Sequence, residues 1–405
     1  SIYSSISNIG MIDSNEISID KCLILRNEKE RIYKNQEFKF EIISYSKDGN
    51  EMRNGGNGMK FGIKIEKEPK SNNGNNEKYE WKIMDLNNGR YEVKIKMKDE
   101  GKYLIFIEYD GVNFPFSPFQ IQVSLKLKPR NYNEINEPKL TFGSKGNGNG
   151  QFDNSREVIT DSNGNIIICD RNNHRIQIFD SNGKFISKFG TKGNGNSQFN
   201  KPWGIAINSK RNIIVSDTRN HRIQIFDSEE NFISTFGSKG NGDGQFDYPV
   251  GLATDFHDNI FVCDNNHRIQ IFDCEGKFLS KFGSEGNENG QFNSPIGVAI
   301  NSKGNIIVCD QHNHRIQIFD SKGNFILKFG LEGNGNGQFD YPWGVCVDLN
   351  DNILVCDCNS NRIQIFNSEG EYIIQFKVIL PLCTTINHKT QEIIVCRDDN
   401  KISIF

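Results

Sequence analysis

The chain has 405 residues, 36% of them apolar and 24% charged, with a formal net charge of −3. That length exceeds one usual core and points to two domains. The charge balance excludes a globally basic nucleic-acid or membrane-surface protein and leaves only local patches. No apolar run approaches the ~20 residues that span a bilayer.

Residues 1–16 read as a tail. The opening Ser1-Ile2-Tyr3-Ser4-Ser5 has neither the charged start nor the apolar stretch of a signal peptide. A start at Ser rather than Met is what a piece of a longer protein would show. From 17 to 124, apolar residues alternate with period two in short runs at 38–42, 61–65, 79–83, 91–95, 103–107 and 119–123, with turn signals between them. This spacing predicts a β-sandwich. Residues 70–77, all polar or Gly, read as a loop insertion, and 125–138, rich in Lys, Asn and Glu, as a linker.

From 139 to 405 one unit repeats. Arg175-Ile176-Gln177-Ile178-Phe179 recurs with its arginine at Arg222, Arg268, Arg315 and Arg362, and Lys401-Ile402-Ser403-Ile404-Phe405 is a weaker sixth copy. The period of about 47 residues suits one four-stranded propeller blade. In each unit a Gly-rich loop ends in Gln-Phe, and four strands follow, named a to d. Strand b, as in Ile306-Ile307-Val308, is apolar on both faces, as a strand clamped between neighbouring blades must be. The chain stops after a sixth strand c, while Lys139-Leu140-Thr141-Phe142-Gly143 is a strand d with nothing before it. Pairing the two predicts six blades closed by an N-terminal outer strand, which removes two open sheet edges.

Two resemblances follow from these residues. The Asn-His-Arg-Ile-Gln-Ile-Phe core (Asn173 to Phe179, Asn220 to Phe226, Asn313 to Phe319) resembles the NHL repeat across 139–405; Arg397 and Lys401 depart from it in blade 6. Asn87-Asn88-Gly89-Arg90-Tyr91, Gly101-Lys102-Tyr103 and Phe114-Pro115-Phe116-Ser117-Pro118-Phe119 resemble the filamin-type immunoglobulin repeat. The expected architecture is therefore all-β: a filamin-type sandwich (17–124), then a six-bladed NHL propeller (139–405). This pair looks like the C-terminal half of tripartite-motif proteins, in which a RING, B-boxes and a coiled coil precede it. The resemblance implies that this half selects a target, a protein or in some members an RNA, and that any ubiquitin-ligase activity requires a RING outside this chain.

Repetition separates scaffold from function, because a residue present in every blade maintains the blade. The Asp-x-x-Asn-His-Arg loops are structural by that test. His174, His221, His267 and His314 invite a zinc reading, but blade-equivalent residues stand too far apart for ligands at about 2 Å. His257, His312 and His388 break the repeat and lack partners at ligand spacing, so no metal or other cofactor is expected. The Gly-rich loops lead into strands rather than a helix N-terminus, so they are turns and not phosphate cradles. Cys169, Cys263, Cys309 and Cys356 share one position before an Asp and read as reduced core thiols rather than a disulfide framework. With the absence of any Asn-x-Ser/Thr sequon, they favour a cytoplasmic address.

What varies between blades is the candidate site. At the entry to strand a stand Arg156, Trp203, Val250, Ile296, Trp343 and Leu382, on the face where the d–a and b–c loops emerge. Such residues either pack between blades or form a contact surface, and Trp and Arg are favoured contact residues. Lys145, Lys192 and Lys239 occupy the Gly-rich loops of early blades, where later ones carry Glu285 and Glu332. With Arg171, Lys201 and Arg219 they make a basic sector facing an acidic one.

The leading expectation is a non-catalytic module that binds a protein partner or ubiquitination substrate on this face, anchored by Trp203, Trp343 and Arg156. RNA binding through the basic sector, with Trp203 stacking on a base, is the alternative. A metal-dependent lyase or hydrolase propeller is a remote third. Neither a small-molecule substrate nor a membrane is expected as a partner. The filamin-type domain reads as a spacer or a strand-addition site.

Overall fold

The computed structural model describes residues 132–135, 137–387 and 389–405, and before them nine strands together with Leu86. Two units result, Ser1–Lys128 and Pro129–Phe405.

In the first unit the six expected strands form at Glu37–Ile43, Phe61–Glu68, Tyr79–Asp85, Arg90–Met97, Gly101–Tyr109 and Phe119–Ser124. Three short ones, Leu23–Leu25, Ile32–Tyr33 and Val112–Asn113, are additional. They build two sheets, one ordered 23–25, 37–43, 90–97, 79–85 and the other 32–33, 119–124, 101–109, 61–68. Period-two alternation buries Ile42, Val93 and Ile95 from one sheet and Ile63 and Ile105 from the other, while Lys39, Glu80, Lys82 and Lys96 stay exposed. The loop insertion at 70–77, Asn87–Gly89 and the Ser-Pro motif before Phe119 lie outside the described residues.

The second unit is the propeller, with six four-stranded sheets among the described residues. Blade 1 comprises Ser155–Thr160, Ile166–Asp170, Arg175–Phe179 and Phe185–Phe189, and blades 2 to 5 repeat that order. Blade 6 joins Pro381–Ile386, Ile393–Arg397 and Ile402–Ile404 to Leu140–Phe142, which pairs antiparallel as Leu140↔Ile404, Thr141↔Ser403 and Phe142↔Ile402. The ring closes as expected.

Every strand b is buried along its whole length, which is what its two apolar faces require. At each joint the Phe ending strand c packs on the aromatic ending strand d of the preceding blade. The pairs are Phe142–Phe179, Phe189–Phe226, Phe236–Phe272, Phe282–Phe319, Phe329–Phe366 and Phe376–Phe405, with ring centroids 4.7 to 5.2 Å apart. Burying each such ring contributes about 2–3 kcal/mol before entropy is counted. The six a strands touch in a closed circle around the axis. Their approach is close enough to require glycine: a Cβ at Gly204 would lie 2.0 Å from the Val250 carbonyl oxygen, and one at Gly251 2.2 Å from that of Ile296.

One expectation fails in part. Residues 132–135, read as linker, belong to the propeller unit. Tyr132 and Ile135 are each 9% exposed, and the Tyr132 hydroxyl donates to Asp348 Oδ2 at 2.6 Å. A Tyr whose ring is buried and whose hydroxyl finds a carboxylate is held there, although polar neighbours hide it in the sequence. Among the described residues no helix is long and apolar enough to cross a membrane.

Candidate functional site

The repeat loops are tied to themselves. In blade 1 Asp170 accepts from Arg175 Nε at 2.7 Å, Gln177 Nε2 at 3.1 Å and the Asp153 amide at 2.9 Å. Arg175 in turn donates to the carbonyls of Asn147, Gly148 and Gln151, so the Gly-rich loop is clamped by its backbone oxygens. Arg315 and Arg362 repeat the same contacts in blades 4 and 5. Burial raises the Asp170 carboxyl and hydrogen bonds from the loop oppose it.

The repeat histidines are latches. His174, His221, His267 and His314 all sit at φ between 52° and 57°. The Nδ1 of each meets the amide of a residue in the next blade: Lys201 at 3.1 Å, Tyr248 at 3.2 Å, Ser294 at 3.2 Å and Tyr341 at 3.5 Å, the last with the Phe339 carbonyl oxygen closer to the same nitrogen at 3.2 Å. Blade 5 substitutes Asn361, whose Oδ1 accepts from the Leu380 amide at 2.8 Å, and blade 6 substitutes Asn400, which accepts from Asn154 at 2.7 Å. All six joints are therefore latched between a b–c loop and the following d–a loop, which places both loops on one face. Every latched residue also has positive φ, from 46° to 59°. That strained position presents Tyr248 (40% exposed) and Tyr341 (38% exposed) on the rim.

At the centre of this face the entry residues meet. Trp203 and Trp343 come from blades 2 and 5, opposite each other in the ring, and their rings lie parallel within 2° at a centroid distance of 6.0 Å. The Arg156 guanidinium lies 4.8 Å from the Trp203 ring and 5.0 Å from Trp343, and that of Arg171 lies 4.9 Å from Trp203. Val250 is half-buried beside them. Ile296 and Leu382 differ from expectation. At 8% and 1% exposed they are buried, Ile296 within the apolar cluster against which Trp203, Val250 and Trp343 pack.

The basic sector is a set of interacting cations. Burial, and then the charges of Arg156 and Arg219, bring the Arg171 guanidinium down to about 10. Lys201 is lowered by desolvation and by Arg219 and Arg171. Lys192 lines a cleft of about 260 Å³ with Asn194, Asn200 and Asn220. Lys145 and Lys239 stand exposed on the Gly-rich loops that lead into blades 1 and 3, and Glu285 and Glu332 are exposed on those that lead into blades 4 and 5. Asp398, which sequence reasoning passed over, places Oδ1 3.9 Å from Arg156.

A second feature of the channel wall also went unread. Gly204, Gly251, Gly297 and Gly344 hold one position in strand a, where blade 1 has Glu157 and blade 6 has Cys383. These two meet across the closing joint, the Cys383 thiol donating to Glu157 Oε1 at 2.9 Å. Glu157 is half-buried, and its carboxyl is enclosed by protein. Desolvation pushes it up to about 7, and the thiol's hydrogen bond pulls the other way. The nine described cysteines are all free, and burial raises the thiols of Cys169, Cys263, Cys309 and Cys356 well above the usual range. Among the described residues no three His, Cys, Asp or Glu side chains are placed to share a metal ion; His388 lies outside them.

Comparison with known proteins agrees with this geometry. The NHL repeat family matches residues 158–179, 199–226, 292–319 and 339–366, and the Filamin/ABP280 repeat family matches residues 18–120. A crystal structure of a structural genomics protein of unknown function from Bacteroides thetaiotaomicron superposes with a TM-score of 0.54 at 11% identity, covering 94% of this chain and 100% of that one. That likeness concerns the fold. The chain therefore carries a filamin repeat followed by an NHL-repeat β-propeller, the pairing seen in the C-terminal half of tripartite-motif NHL proteins. It is 48% identical over 61 residues to protein lin-41 of Caenorhabditis elegans and 42% identical over 72 residues to the E3 ubiquitin-protein ligase TRIM71 of Rattus norvegicus. Those stretches are 15% and 18% of this chain but only 5% and 8% of the relatives' lengths.

Proposed function

We propose that the propeller is a non-catalytic recognition module of the cytoplasm, and that it binds a protein partner on the face bearing the d–a and b–c loops. The observation that carries this reading is the convergence of Arg156, Arg171, Trp203 and Trp343 at the mouth, since the two arginines are unique to blade 1 and the tryptophan occurs in only two of the six blades. Large aromatic and guanidinium groups brought together, half-buried and not part of the common repeat, are the composition of a binding hot spot. By analogy with the ubiquitin ligase it resembles, the partner would be a substrate presented to a ligase module.

A second reading, RNA, is favoured by the neighbouring cations Arg171, Lys192, Lys201 and Arg219, whose charges, after burial, lower Arg171 and Lys201. In that case the bases would stack on Tyr248 and Tyr341, because the Trp203 ring is already in contact with Trp343 and two guanidinium groups. The test is affinity capture with the whole chain, followed by titration of the captured species against salt. A protein whose binding is lost in Trp203→Ala supports the first reading. An RNA whose affinity falls by several decades with salt supports the second. Capture undiminished by removing both tryptophans and Arg171 would reject this face.

A further inference from the structure

The mouth holds donors without matching acceptors. Arg156 Nε, Arg171 Nε and Trp343 Nε1 are all buried with no hydrogen-bond partner. The nearest carboxylate to Arg156 is that of Asp398 at 3.9 Å, a side chain 44% exposed to water, and Arg171 makes no ion pair among the described residues. Arg171 is also repelled by Arg156 and Arg219. Two guanidinium groups braced on indole rings, one without an acid, are an incomplete receptor for an oxyanion.

We propose that the mouth receives the phosphate of a phosphoserine- or phosphothreonine-type monoester on the partner, held between Arg156 and Arg171. This rests on the reading of the face as the binding surface and names the group that the face recognises. Three features of the site select a monoester. The donors belong to three side chains on blades 1 and 5, which suits a tetrahedral group with three free oxygens better than a planar carboxylate. The Arg156 side chain is only 12% exposed, so it is reached by a terminal group. A diester in a nucleic-acid strand carries substituents on two sides and suits so recessed a group less well. A monoester also brings a charge near −2, enough to offset the mutual repulsion of the two arginines.

The experiment is a titration of the whole chain, read by tryptophan fluorescence, because Trp203 and Trp343 are two of its three tryptophans. The probes are O-phospho-L-serine, inorganic phosphate, dimethyl phosphate and L-serine. Saturable change with the first two and none with the last two is expected. Arg171→Gln should weaken O-phospho-L-serine about tenfold or more, and Arg171→Lys should restore part of the loss. Lys188→Gln, on an outer strand, should leave it unchanged. Arg171→Gln serves as the primary variant because Arg156 is the more buried and its loss disturbs the mouth.

Three results would overturn the proposal: no saturable response to O-phospho-L-serine or phosphate, equal affinity for dimethyl phosphate, or an unchanged response in Arg171→Gln. If the phosphate probes fail while a captured partner still binds and still depends on Trp203, the pocket falls and the face stands. If the partner's binding is independent of Trp203 and Arg171, the face itself falls.

Discussion

Asn400 in the last blade accepts a hydrogen bond from the backbone amide of Asn154 in the first, at 2.7 Å across 246 residues of chain. The joint that closes the ring therefore uses the same latch as the five joints within the repeat array, with asparagine, as at the fifth, in place of the histidine of the first four. Both residue types tolerate the left-handed conformation that the position imposes, here φ of 62°.

Removing that acceptor leaves a half-buried amide unpaired at the only joint formed by the two ends of the propeller. Asn400→Ala should cost about 1–2 kcal/mol in urea unfolding. Asn400→His, which installs the group used in blades 1 to 4, should recover most of it. Equal losses in the two variants would mean that the hydrogen bond contributes little and that side-chain packing holds the joint.

The latch also makes stability depend on pH. His174 Nδ1 receives the Lys201 amide, a role open only to the neutral ring. Desolvation and then the charge of Lys192 lower its pKa below the ordinary value of 6.5, with the Phe199 carbonyl opposing. The unfolded chain therefore binds a proton more readily than the folded one. Stability is intact above about pH 6.5 and falls as the pH drops through that value towards the lower folded pKa. His174→Asn keeps an acceptor and removes the titration, so its unfolding midpoint should change less between about pH 8 and pH 5.5 than that of the native chain. Parallel curves for the two would refute the role of this ring.

The latch shows where sequence reasoning reaches its limit. Ring closure was legible because it follows from strand bookkeeping: a spare strand d at Leu140 and a missing one after Ile404. The histidines were legible as scaffold but not as joints, since their partner is a backbone amide 27 residues onward, with no side chain to announce it. The entry residues were found by position in the repeat. Position does not say which side chains meet across the mouth, as Trp203 and Trp343 do, and which are buried beneath it, as Ile296 and Leu382 are. Glu157 and Cys383 could have been found: each breaks a run of glycines whose Cβ would strike the neighbouring strand.

The tryptophan pair gives a prediction about binding. Trp203→Ala and Trp343→Ala should each weaken the partner by about 2 kcal/mol or more while leaving the ring folded, because strand a keeps its backbone pairing. The two effects should not add. Each ring is held by the other at 6.0 Å, and a coupling of about 0.5–1.5 kcal/mol is expected from stacked aromatics. A double-mutant cycle on affinity measures it. Full additivity would show that the rings act as separate contacts and that their parallel arrangement carries no weight in recognition.

Glu157 gives the clearest prediction about the channel. Its carboxyl is enclosed at the closing joint and titrates at about 7, against 4.5 for an ordinary glutamate. The folded state thus holds its proton more tightly than the unfolded state, so the stability contributed by the neutral form is fully present below about pH 4.5 and is lost as the pH rises through 7. Glu157→Gln keeps an oxygen that can accept from the Cys383 thiol and abolishes the charge. At about pH 8 the variant should be more stable than the native chain by up to about 3 kcal/mol, the full size of the shift, and nearer 2 kcal/mol with the residue's partial exposure discounted. At about pH 4.5 the two should nearly coincide. Urea unfolding at both pH values decides the matter. A variant no more stable than the native chain at the higher pH would mean that the carboxylate ionises without penalty and is hydrated through the channel.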